Sequence, residues 1–63
     1  MKKVRIKNFD HHREYNGMIG TVTEDKYHIW RVVMDNGVEL LPYAPDRKDA
    51  QCELVEEQLP IFN

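Results

Sequence analysis

Gly17 and Gly20 stand three positions apart in YNGMIGTVTED, a spacing that raises phosphate binding as the first chemistry to test. Glycine-rich loops cradle phosphates when a Lys-Ser/Thr pair or a third glycine then opens a helix. Here Thr21-Val22-Thr23 follows, a run of strand formers. The glycines therefore read as architecture: Asn16-Gly17 as a turn, and Gly20 as an inward strand position too crowded for a side chain. Three histidines suggest a metal, but adjacent His11 and His12 diverge in an extended segment, and His28 lies far along the chain. The residues predict no metal and no cofactor. Cys52 is the single cysteine, which excludes an internal disulfide and a cysteine-based zinc site; it reads as a small core residue. There is no serine, and Thr21 and Thr23 fall in a strand, so no nucleophile stands out and the chain is not expected to be an enzyme.

Charge points instead to binding. The 63 residues carry a net charge of −2, unevenly spread. Residues 1–13 hold Lys2, Lys3, Arg5, Lys7 and Arg13 against Asp10, a net +4. Residues 14–34 are nearly balanced at −1, and residues 35–63 hold seven acids against Arg47 and Lys48, a net −5. A segregated surface of this kind either solubilises the chain or steers a partner of opposite charge. One cysteine and no apolar run of about 18 residues lead to the expectation of a cytoplasmic protein without a membrane segment.

The elements that must position these residues have the period of strands. Lys3–Lys7 alternates, with Val4 and Ile6 on one face. Residues 8–16 break the pattern and read as a loop. Met18–Glu24 resumes a strand, with Met18 and Val22 expected inward. The segment Ile29–Leu41 contains Asn36-Gly37, the dipeptide of two-residue type I′ hairpins. That turn would oppose Asp35 to Val38, Met34 to Glu39, Val33 to Leu40 and Val32 to Leu41. Pro42 and Pro45 exclude a central strand after it. Asp46–Asp49 reads as one helical turn with Asp46 as N-cap, before a last strand at Gln51–Glu56. The expected fold is all-β: a small five-stranded antiparallel barrel over residues 1–58, with one short helical turn before the last strand and an apolar tail at 59–63.

Val4-x-Ile6, Asn16-Gly17-x-x-Gly20-Thr21-Val22, Trp30-x-Val32-x-Met34-Asp35-Asn36-Gly37 and Cys52-Glu53-Leu54-Val55 together resemble SH3-like small barrels of the KOW type. The resemblance covers roughly residues 3 to 56. It implies contact with RNA or with the transcription and translation machinery. Lys2, Lys3, Arg5, Lys7 and Arg13 would neutralise phosphates, while Phe9, His11, His12 and Tyr15 would stack or make contacts in the first loop. The chain departs from that pattern at Asn8-Phe9-Asp10, where a glycine often stands, and at Asn16, where a basic residue is frequent.

The same resemblance places Val32, Met34 and Leu41 inside the barrel and leaves Val33 and Leu40 as an apolar pair outside. That pair is covered by Leu59-Pro60-Ile61-Phe62 folding back, by a protein partner, or by a second copy of the chain. Trp30, Tyr27 and Tyr43 add aromatic groups of the kind that dominate interface energetics, and Glu39 belongs to the acidic half that would steer a basic surface. The primary expectation is a non-catalytic protein-binding accessory or regulatory module. The alternative is a KOW-like nucleic-acid contact module using Lys3, Arg5, Lys7, Phe9, Arg13 and Tyr15.

Overall fold

A computed structural model describes residues 2–55. The alternation seen in the sequence folds into five antiparallel strands: β1 (Lys3–Ile6), β2 (Ile19–Asp25), β3 (Trp30–Val33), β4 (Glu39–Leu40) and β5 (Cys52–Val55). They form one sheet in the order β4-β3-β2-β1-β5. The protein is thus all-β, as expected. Among the described residues the ladder stays open, with β4 and β5 as its edges.

Inner-face residues meet in register across the strands. Val4 lies opposite Gly20, Ile6 opposite Cys52, and Val22 opposite Val32, which faces Leu40. Val4, Ile6, Val22, Val32, Met34, Leu40 and Cys52 form the core, with Phe9 and Tyr15 added from the first loop. A Cβ on Gly20 would lie 2.5 Å from Val32 Cγ1 and 2.7 Å from Met34 Sδ, so the close approach of β2 and β3 requires glycine there. Gly17 serves differently: its φ of +92° is the left-handed region that a turn into β2 demands.

The hairpin differs from expectation by one residue. The observed pairs are Val32 with Leu40 and Val33 with Glu39. Gly37 N–H donates to Met34 C=O (2.8 Å), Met34 N–H donates to Val38 C=O (2.8 Å), and Gly37 adopts φ +90°. Asn36 keeps a negative φ, and its Oδ1 accepts from Val38 N–H. The loop is therefore three residues, Asp35-Asn36-Gly37, with glycine at the left-handed position, in place of the two-residue type I′ turn. The reason is electrostatic. The type I′ register would set Glu39 opposite Met34 on the inner face and bury an unpaired carboxylate. The observed register turns Glu39 outward and brings Leu40 into the core.

Three further expectations change. Met18 is exposed because β2 begins one residue later, after Met18 C=O has accepted from Ile6 N–H. No helical turn stands between β4 and β5. Residues 45–49 form successive turns, closed by Arg47 N–H to Ala44 C=O and Ala50 N–H to Arg47 C=O. There the Arg47 guanidinium grips Asp49 with bonds of 2.7 and 3.0 Å, a two-residue spacing that a helix would turn to different sides. The 3₁₀ turn lies instead at Arg13–Tyr15, in the first loop. The expected tail at 59–63 lies outside the described residues.

Candidate protein-binding surface

The hairpin ladder continues past β4 in the same register. Trp30 N–H donates to Pro42 C=O (3.1 Å), Ile29 bridges Tyr43, and Ala44 N–H donates to His28 C=O (2.9 Å). Pro42 lacks a donor and interrupts the strand, yet the side-chain alternation is kept. Leu40, Pro42 and Ala44 face inward and are buried, so Glu39, Leu41 and Tyr43 face outward beside Ile29, Arg31 and Val33. An apolar surface results. Leu41 is 58% exposed, Ile29 40% and Tyr43 37%, and Tyr27, at 81%, stands next to them with its ring 4.0 Å from that of His28.

Charged groups frame this surface and fix its edges. Glu24 lies opposite Arg31 and forms ion pairs with Arg31 and Lys26, each at 3.6 Å. Arg47 lies over the Tyr43 ring at 4.7 Å while held by Asp49, whose carboxyl the guanidinium hydrogen bond keeps below its ordinary pKa. Two shallow grooves flank the patch and share Ile29 and Leu41. One of about 410 Å³ runs toward Phe9, His11, His12 and Gln51; the other, of about 320 Å³, runs toward Glu24, Tyr27 and His28.

Comparison with known proteins finds no matching protein-family model, no matching curated protein and no matching solved structure. The surface must be interpreted from its own chemistry.

The residues proposed for protein binding separate into two groups. Tyr27, Tyr43 and Glu39 are exposed, and Val33 is half-buried on the same outer face, opposite Glu39. Leu40, expected outside, is 2% exposed and belongs to the core, because the one-residue shift exchanges it with Leu41. Trp30 packs half-buried against the core, with Lys2 Nζ 5.0 Å from its ring. Ile29 and Leu41 complete this exposed apolar surface and were not among the residues expected to bind. The signal was present: Glu39 must face water, and an alternation counted from it sets Leu41 and Tyr43 on the same side.

The residues considered for nucleic-acid contact are dispersed or occupied. Phe9 and Tyr15 are buried, so neither ring is free to stack on a base. Asn16 holds the loop that buries them, accepting from Phe9 N–H (2.9 Å) and donating to Phe9 C=O (3.3 Å). Asn8 adopts φ +55° at the start of that loop, the backbone conformation that a glycine would supply. Tyr15 Oη accepts from Asn36 Nδ2 (2.9 Å), which ties the loop to the hairpin turn. On β1, Lys3 donates to Thr21, and Arg5 and Lys7 both lie against Glu53, at 3.5 and 3.7 Å. Lys2 bonds Asp25 at 2.6 Å, and Arg13 is exposed. His11 and His12 are exposed beside Phe9, and His12 is 3.7 Å from Glu14. Among the described residues no three His, Cys, Asp or Glu side chains gather in a metal-binding group, and no helix is long and apolar enough to cross a membrane.

Proposed function

We propose that this chain is a non-catalytic protein-binding module that docks on a larger protein through the outer face of its β3–β4 hairpin. The observation that carries this reading is the exposed row Ile29, Leu41 and Tyr43, extended by Tyr27 and set in a frame of ion-paired charges. An apolar centre with aromatic members and a polar rim is the anatomy of a protein interface. The sheet does not need these side chains to hold its core, which lies on the opposite face. In this reading the KOW-type resemblance is a likeness of scaffold, carried by Val4, Ile6, Gly17, Gly20, Val22, Val32, Met34 and Gly37. Those residues fill the interior or shape the turns and leave the outer face to specify the partner.

The test is chemical cross-linking in extract, with Leu41→Asp and Tyr43→Asp compared against the parent chain. Both variants should keep the thermal unfolding midpoint within a few degrees, since neither residue enters the core. Both should lose a cross-linked protein that the parent retains after nuclease treatment. Retention of that protein by both variants would remove the outer face from consideration.

A further inference from the structure

The β4 edge has hydrogen-bonding groups left open. In the β3–β4 ladder the bonded pairs are Met34 with Val38 and Trp30 with Pro42, and Val32 with Leu40 falls on the same alternation. Glu39 and Leu41 therefore direct their N–H and C=O groups away from β3. Among the described residues nothing pairs with them. The edge ends at Tyr43, whose N–H donates to Gln51 Oε1 (3.2 Å) and whose C=O accepts from Gln51 N–H (3.1 Å). Two open residues in an i, i+2 relation, about 6.8 Å apart, match the repeat of an extended chain. They border the groove of about 410 Å³ that runs between β4, the first loop and Gln51.

Resting on the protein-binding reading above, we infer that the docking partner presents an extended segment that adds as an antiparallel strand to the Glu39–Leu41 edge. Main-chain bonds to an open edge supply affinity, and alternate side chains supply specificity. The residue opposite Leu41 would lie on the apolar outer face beside Ile29 and Tyr43. The next residue would enter the groove against Leu40 and Phe9. The one after that would stand opposite Glu39, an exposed carboxylate without an ion-pair partner among the described residues. Charge complementarity makes that residue lysine or arginine. The recognised pattern is then apolar–apolar–basic, read from N- to C-terminus. A second copy of this chain is a poorer occupant, because its β4 would bring Glu39 or Leu41 opposite Glu39 and no cation.

The experiment selects random short peptides displayed on phage against the immobilised chain. A consensus peptide is then synthesised with and without backbone N-methylation at the positions facing Glu39 and Leu41. Selected peptides should converge on the apolar–apolar–basic pattern. The unmodified peptide should slow amide hydrogen exchange at Glu39 and Leu41 by about tenfold or more, and N-methylation should weaken binding by about tenfold or more. Glu39→Lys should reverse the preference at the basic position. Binding that ignores N-methylation and leaves both amides unprotected overturns strand addition; if Leu41→Asp still abolishes that binding, the outer-face reading survives on its own. Failure to select any peptide, or self-association of the chain through this edge, also overturns the proposal. Because the modification is made in the peptide, the outcome does not depend on whether a protein variant folds.

Discussion

Single residues carry opposite kinds of constraint in this small sheet. Gly20 is fixed by space: its absent side chain is the volume that Val32 and Met34 occupy. Gly20→Ala should lower stability by about 1–3 kcal/mol, through the backbone shift needed to clear the overlap. Denaturant titration at constant slope checks this, and an unchanged midpoint would mean that β2 and β3 separate at no cost. Cys52 is fixed by burial. Its thiol is pushed up to about 11 by desolvation, with Lys7 pulling slightly the other way. The folded chain therefore holds a neutral thiol that should resist alkylation at pH 8 until denaturant opens the core. Because the folded state binds this proton more tightly than the unfolded one, stability should fall as pH rises from the ordinary thiol value of 9.0 toward about 11. Cys52→Ala should lose that alkaline slope.

At the scale of the element, the hairpin decides which leucine is structural. Leu40 and Leu41 are neighbours of identical chemistry, one in the core and one on the outer face. Leu40→Ala should cost about 2–5 kcal/mol, whereas Leu41→Ala should stay within about 0.5 kcal/mol of the parent. The reverse order would indicate the two-residue turn and its shifted register. Alternation was readable in the sequence wherever a polar residue marked the outer face, as with Lys3, Arg5 and Lys7 flanking Val4 and Ile6. It was misleading at Asn36-Gly37, where a local turn preference competed with the need to keep Glu39 in water. The first loop was unreadable for a different reason. Phe9 and Tyr15 follow no period, and they are buried because Asn16 clamps the loop from seven residues away while Asn36 bonds Tyr15 across the sheet.

Across the whole molecule, three of the basic N-terminal side chains are paired in the fold. The basic N-terminal residues meet acids from distant segments: Lys2 meets Asp25, and Arg5 and Lys7 meet Glu53. Lys2 keeps the Asp25 carboxyl below its ordinary pKa, chiefly by hydrogen bonding, and Arg47 does the same for Asp49. A depressed carboxylate contributes stability above its unfolded pKa and loses it as pH falls through the folded one. The midpoint of the parent chain should thus hold steady from neutral pH down to the ordinary carboxylate range, about 3.9 for aspartate, and decline below it. Lys2→Gln should sit slightly lower at neutral pH and converge with the parent in acid, a small effect because both partners are exposed and screened by salt. A gap between the two curves that persists in acid would place the effect of Lys2 in packing on Trp30 instead.

The sequence alone determined the fold class and the two faces of most strands, because a period of two depends only on neighbours along the chain. It also determined that Gly20 is structural, since Thr-Val-Thr behind it allows no phosphate loop. Only the tertiary structure decided the hairpin register, the burial of Phe9 and Tyr15, and the pairing of the basic N-terminus. Each of those is settled by contacts between elements, which the period along a single strand does not reveal. Glu39 must not be driven against Met34, the loop aromatics need a core to enter, and Arg5 and Lys7 find their acid only when β5 lies beside β1.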